Sequence, residues 1–203
     1  MELNKFITNC YKTFPVLVEH KTPWEITDNA NEFIEKGIKL LGEDYEKNGN
    51  IAIHKTAKIE EGVILKDAVI IGKDCFIGAG AYLRGGVFLD ENVVVGPKSE
   101  IKASFIFRKS RIAHFNFIGN SIIGEDVNFE AGAVIANYFK EREEGKKEIK
   151  SMLENKIVNT GTEKFGALVG DGSRIGANAV LNPGSILLPG TIVGRLELYD
   201  QIK

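Results

Sequence analysis

Between residues 53 and 101 every sixth position is aliphatic: Ile53, Ile59, Leu65, Ile71, Ile77, Leu83, Leu89, Val95 and Ile101. Four places after each stands a second inward candidate, mostly small: Ala57, Val63, Val69, Cys75, Ala81, Val87, Val93, Ser99 and then Phe105. A period of six fits neither a lone helix, at about 3.6 residues per turn, nor an ordinary strand, at about two. It is the mark of a parallel β-helix, in which each short strand turns a corner and stacks on the coil below. Half-buried strands joined by glycine turns would not hold one register for so many hexads. The fold class read from the chain is therefore an all-β solenoid.

The beat continues with two steps that are one residue short: Ile106, Ile112 and Ile118, then Ile123, Phe129 and Ile135. A last run reads Val169, Ile175, Leu181, Leu187 and Val193. Gly72, Gly78, Gly96, Gly119, Gly124, Gly170 and Gly176 each follow an aliphatic mark. They are expected to serve corners that need a positive φ. With three hexads to a coil, Lys66, Arg84 and Lys102 fall in one vertical column with rungs ~4.8 Å apart. Stacked cations repel unless solvent or an anion separates them. The column reads either as a solvated edge or as a phosphate grip, with Arg84 as a fork and Lys102 as a point charge.

Two segments leave the beat. In residues 1–50, Phe14-Pro15-Val16-Leu17-Val18 is a candidate short strand, and Thr27 and Asp28 are candidate caps of one helix. Its apolar side would comprise Phe33, Ile34, Ile38, Leu41 and Tyr45, and Asn48-Gly49-Asn50 would close it. Such a helix would cover the open end of the first coil. The second segment, 139–164, starts with mixed charge and ends in Met152-Leu153 and Ile157-Val158 around Glu154-Asn155, the pattern of a hairpin arm. It is expected to be ejected from the solenoid, where such loops close over ligands or touch a neighbouring subunit. The chain thus divides into a cap or linker, 1–50, and a β-helix domain, 51–203, that carries the 139–164 insertion.

Composition narrows the function. The formal charge is −2, from 26 basic and 28 acidic residues, so there is no net electrostatic case for nucleic acid. No stretch is apolar for long enough to span a bilayer, and the first residues lead into no secretory signal. The expectation is a cytoplasmic protein. Two cysteines, Cys10 and Cys75, are too few for a disulfide framework. His20, His54 and His114 are far apart in sequence, and no metal site is expected. Chemistry would sit in the irregular middle block around Ser110-Arg111-Ile112-Ala113-His114-Phe115-Asn116-Phe117. There His114, Asn128, Asn137 and Tyr138 are polar groups among Ile, Ala and Gly. They form either a binding site or a hydrated face.

This middle block resembles the C-terminal left-handed β-helix of the bifunctional N-acetylglucosamine-1-phosphate uridylyltransferases, which carries glucosamine-1-phosphate acetyltransferase activity. It is also similar to the corresponding domain of archaeal sugar-phosphate nucleotidylyltransferases. The likeness covers roughly residues 75–193, with an echo of the archaeal linker at Thr22-Pro23-Trp24-Glu25-Ile26. It implies a left-handed parallel β-helix of hexapeptide repeats with an N-terminal helical cap and an ejected arm. It further implies phosphate contacts at Arg84 and Lys102, a catalytic histidine at His114 and a sugar contact at Asn128. Coenzyme contacts are implied at Ala131, Asn137, Tyr138, Lys164 and Ala177, Lys164 lying at the substrate or the coenzyme phosphates. Phe117 stands where the family has a sugar-site tyrosine, so one hydroxyl contact is lost. The resemblance also implies a homotrimer with each active site at a subunit interface.

The implied function is acetyl-CoA-dependent N-acetylation of an amino-sugar 1-phosphate, glucosamine 1-phosphate first, with His114 as general base. Histidine titrates near ~6.5 and serves as a base around neutrality. Acetyl-CoA is the co-substrate. Only about fifty residues precede the coils and no glycine-rich nucleotide loop is visible, so uridylyl transfer is not expected. The alternative is a non-catalytic sugar-phosphate-binding or assembly module that works with a separate nucleotidylyltransferase.

Overall fold

The computed structural model describes residues 2–18 and 22–202; His20 lies outside them. The hexads build a triangular prism with three ladders of parallel strands. The first face stacks Ile51–His54, Val69–Ile71, 87–89, 104–106, Ile122–Ile123, Ala167–Val169 and Ser185–Leu187. The second runs from Lys58–Ile59 through Val94–Val95 and Arg111–Ile112 to Ile192–Val193. The third carries Ile64–Leu65, 82–84, 100–102, Phe117–Gly119, Val134–Ile135, Val180–Leu181 and Leu198–Tyr199. Tyr82–Leu89 and Glu100–Ile106 run round a corner and join the third face to the first.

Every aliphatic mark from Ile71 to Val193 points into one continuous core. The first coil has no coil beneath it, so Ile53 and Leu65 are only partly buried and Ile59 is exposed. The one-residue slips are shortened corners. Arg84 pairs with Lys102 and Val87 with Ser104, so Ala103 alone replaces Gly85-Gly86. Ala103 and Asn120 take positive φ, 48° and 46°, to make the tighter turn. This register corrects the expectation for Phe105. Ser104 fills the inward position, while Phe105 stacks opposite Phe88 on the outer side of the first face.

The glycines act differently from expectation. None of Gly72, Gly78, Gly96, Gly119, Gly124, Gly170 or Gly176 has a positive φ. Each lies where neighbouring atoms pass too close for a side chain. A Cβ on Gly72 would sit 2.7 Å from the Leu89 carbonyl oxygen, and one on Gly96 would run into that of Ala113. In six of the seven cases the positive φ falls two residues later, on Asp74, Gly80, Lys98, Asp126, Gly172 and Asn178.

The N-terminal segment is more helical than expected and sits elsewhere. Pro15–Val18 is a 3-10 turn, not a strand. Pro23–Asp28 and Ala30–Leu40 are two helices. The first begins at Thr22, whose hydroxyl accepts the Glu25 N–H while the Glu25 carboxylate accepts the Thr22 N–H, a reciprocal cap. Thr27 is therefore buried within a helix, its hydroxyl donating to the Trp24 carbonyl, and Asp28 is that helix's last residue. The second helix ends at Leu40 because Leu41 is extended. Tyr45–Asn48 is instead a strand, antiparallel to Ile51–His54. That strand covers the edge of the first-face ladder. The helices lie along the first face, over Ile70, Phe88, Phe105, Ile122 and Leu168. Phe14 packs 4.5 Å from Phe88 and 5.8 Å from Phe105 between ring centroids.

Lys150–Leu153 and Lys156–Asn159 form the expected hairpin, with Glu154 and Asn155 both at positive φ. It does not project freely. Ile149 and Ser151 are fully buried, and the arm lies against Ser185–Leu187, extending the cover of the first face. Polar clips fix the start of the chain: Arg108 bonds both Asp90 and Thr13, and Asp171 accepts from the Thr8 N–H and hydroxyl.

Gly96→Ala should cost roughly 3 kcal/mol, as overpacking against a backbone oxygen does. Gly172→Ala, at φ +69° with open space around it, should cost only about 1 kcal/mol; urea denaturation of both variants compares them. Between coils, Arg195 holds the Glu130 carboxylate at 2.7 Å and lowers its pKa from 4.5 to about 2, helped by the Ala177 N–H. A depressed carboxyl adds stability above its ordinary pKa and loses it as pH falls towards the folded value. The parent's advantage over Glu130→Gln should therefore be present at pH 6 and vanish on titration from about 4.5 to 2.

Candidate active site

Strand alternation places residues two apart on the same side of the third face. Tyr82, Glu100 and Phe117 share one rung column, and Arg84, Lys102 and Gly119 the next. Arg84 bonds Glu100 through Nε at 2.8 Å and Nη2 at 2.6 Å, with its guanidinium 5.6 Å from the Tyr82 ring centre. Lys102 lies beside it, and its ammonium pKa is lowered by burial first, then by the charges of Arg84 and Lys164. Three cations therefore act on one another at the far edge of this face, with Glu100 beside Arg84 and Asp28 close enough to Lys164 to feel its charge. Two unit charges ~5 Å apart repel by roughly 1 kcal/mol in water and about 3 at the effective dielectric of a protein surface. An incoming anion would relieve that cost.

Lys164 reaches this edge because the insertion closes there. The Phe165 N–H donates to the Asn137 carbonyl at 3.2 Å, and the Gly166 N–H to that of Asn120 at 2.9 Å. Thr162 accepts the Lys164 N–H, and Trp24 packs edge-on against Phe165. Asn137 donates its side-chain amide to Asn120 at 2.7 Å. A Cβ on Gly119 would lie 2.8 Å from both the Asn137 amide and the Phe117 ring, so these three form one packed patch. Beyond it, the buried Lys147 ammonium stands 5.3 Å from the Tyr138 ring centre and pairs with Glu144, whose carboxylate holds the lysine pKa above its usual range. Lys147 was hidden in a charge run that reads as solvated; only burial marks it out.

His114 lies at the opposite edge. Its corner is one of a stack in which the Phe115 N–H donates to the Pro97 carbonyl and the Gly132 N–H to that of His114. Next, the Asn178 N–H donates to Ala131 and the Leu196 N–H to Ala177. His114, Ala131 and Ala177 thus line a single corner column. Above it, Glu130 takes the Ala177 N–H at 2.9 Å and both arms of Arg195; sequence reading missed Arg195 because it lies beyond the regular hexads. The His114 imidazole is exposed and makes no hydrogen bond or ion pair among the described residues.

Asn128 is on neither edge. It lies on the second face, paired with Arg111 below and Arg174 above. Within one chain the candidate residues therefore occupy three places. Arg84, Lys102, Phe117, Asn137, Tyr138 and Lys164 gather on the third face and its far corner, and His114, Ala131 and Ala177 on the near corner. The chain from the His114 corner through the strand Phe117–Gly119 spans at most ~17 Å. A cavity of about 610 Å³ lies elsewhere, between Phe6, the arm residues Met152 and Leu153, and Ile186 and Leu188. Among the described residues, no group of three His, Cys, Asp or Glu could hold a metal ion, and no helix is long and apolar enough to cross a membrane.

Comparison with known proteins places this geometry. Residues 47–158, more than half of the chain, match the family model described as the GMPPB C-terminal domain. Residues 158–195 match the hexapeptide repeat of succinyl-transferase. The chain is 34% identical over 191 residues to a bifunctional sugar-1-phosphate nucleotidylyltransferase/acetyltransferase of Sulfurisphaera tokodaii, covering 88% of this chain and 46% of that one. It is 31% identical over 183 residues to the bifunctional protein GlmU of Methanococcus vannielii, covering 88% and 43%. It spans less than half the length of these curated relatives. A solved structure of a Bacillus cereus protein described as an acetyltransferase superposes with a TM-score of 0.53 at 14% identity, over 70% of this chain and 73% of the other. By the family match and by the stacking of its coils, this chain belongs to the hexapeptide-repeat, left-handed parallel β-helix family of the GMPPB C-terminal domain.

Proposed function

We propose that this chain is an acyl-CoA-dependent N-acyltransferase of the cytoplasm, acting on an amino-sugar 1-phosphate, with acetyl-CoA and glucosamine 1-phosphate as the substrates. The observation that carries the reading is the meeting of Arg84, Lys102 and Lys164 on a face whose other edge is the His114 corner. The Sulfurisphaera tokodaii relative, described as a bifunctional sugar-1-phosphate nucleotidylyltransferase/acetyltransferase, supports the same class.

Faces and corners of a prism are convex, so one copy alone does not enclose a substrate. A homotrimer supplies the missing wall by setting the corner of one copy against the third face of the next. Apolar groups exposed on this side, Ile64 and Leu198, fit such a contact. In the assembled site Arg84, Lys102 and Lys164 hold the phosphate, and Phe117 and Asn128 border the sugar. Acetyl-CoA runs along the Ala131–Ala177 corner towards Asn137 and Tyr138. His114 takes a proton from the amine as its nitrogen attacks the thioester carbonyl. The tetrahedral oxyanion then collapses, the C–S bond breaks, and CoA leaves as the thiol once its sulfur is protonated. Fixing the phosphate makes this encounter effectively unimolecular.

Release of CoA thiol with glucosamine 1-phosphate tests the reading. His114→Ala should lower kcat ~10²–10⁴-fold. Lys102→Ala should raise KM for the sugar phosphate at least ~10-fold, the loss of a charged hydrogen bond. Equal rates for the parent and His114→Ala would remove the histidine from the mechanism. Ligand-induced stabilisation without turnover would favour a binding module that serves a separate nucleotidylyltransferase.

A further inference from the structure

Phe115 combines two unfavourable features. Its φ is 55°, in the left-handed region, and its side chain is 67% exposed. The equivalent corner positions in this column, read from the same inter-coil hydrogen bonds, are Gly80, Lys98, Gly132, Asn178 and Leu196. Glycine or asparagine takes that conformation readily, whereas a bulky side chain there is strained. The core lies on the other side of the backbone, so neither Phe115 nor Leu196, at φ 61° and 80% exposed in the same column, gains core packing for its strain. What sets Phe115 apart from Leu196 is that its strained corner places the ring against the proposed base, a setting in which such strain is kept for function.

The neighbour supplies the reason. The peptide group that joins His114 to Phe115 is pinned on both sides, its C=O accepting from the Gly132 N–H and its N–H donating to the Pro97 carbonyl. The His114 side chain is not. A histidine base is ordinarily oriented by a hydrogen bond to its second ring nitrogen, and His114 has none among the described residues. What meets the imidazole is the Phe115 ring, 5.6 Å between centroids and 85° between planes, an edge-to-face contact.

We infer that Phe115 is a positioning residue for His114: its ring, held out by a strained corner, sets the imidazole's orientation in place of a hydrogen-bonded partner. The inference rests on the acyl-transfer reading for its kinetic consequence, but not for its geometry.

Phe115→Gly is the deciding variant, because glycine accepts φ +55° without strain. The expected result is a Tm within about 3 °C of the parent's, a kcat for acetyl-CoA and glucosamine 1-phosphate about tenfold lower, and KM values within about twofold. NMR of the labelled His114 ring should show a fixed rotamer in the parent and averaging in Phe115→Gly. Phe115→Tyr, which keeps the ring edge, should restore both the rate and the fixed rotamer. An unchanged kcat with an unchanged ring signal overturns the inference. So does a large loss of Tm or of assembly, which would make Phe115 a packing anchor between copies. If the parent transfers no acetyl group, the proposed function fails, and the His114 ring signal alone decides: averaging on loss of Phe115 supports positioning, and no change overturns it.

Discussion

Backbone meeting backbone between successive coils is the constraint from which the rest follows. Parallel rungs can stack only where nothing projects into the next turn, and the glycines after the aliphatic marks lie at those crossings. The burial of Ile71, Ile77, Leu83 and their successors on one axis depends on that approach. So does the vertical alignment that makes Arg84 and Lys102 neighbours. A column of like charges is tolerable because the ladder hydrogen bonds and the shared core outweigh a repulsion of a few kcal/mol. The electrostatic character of the third face is thus enforced by packing that has nothing to do with charge.

The prism was legible in the sequence because hexapeptide spacing is a property of one rung repeated, and each rung reports the same geometry. The 18-residue column through Lys66, Arg84 and Lys102 was legible for the same reason. Where a corner lost one residue the extrapolation failed, and Phe105 passed from the expected interior to the outer side. The role given to the glycines failed because spacing reveals a requirement without its cause; close approach and positive φ both select glycine. The N-terminal helix was misjudged at both ends. Thr22, not Thr27, makes the reciprocal cap, and Tyr45 has helical spacing from Ile38 but pairs with His54 in a strand.

The site was legible only in part. The adjacency of Arg84 and Lys102 followed from the period, but their phosphate role and the choice of Lys164 came from the family resemblance, and Lys164 arrives through a closure that no local pattern foretells. His114 and Asn128, 14 residues apart in the sequence, fall on a corner and a different face. In the proposed trimer their relation to the cations is set by how copies meet, which periodicity does not encode. The helical cover of the first face also bears on this, since it leaves the second and third faces as the two free for contact.

The closure of the 139–164 insertion has a further consequence. Its two ends are stitched by a direct hydrogen bond from Phe165 to Asn137, so the coils on either side register with each other as though the segment were absent. The entropic cost of such a closed excursion grows only with the logarithm of its length. This corner is therefore a graft point at which descendants of the same solenoid could lengthen, trim or exchange a module, and so diversify what borders the cations while the rungs stay untouched.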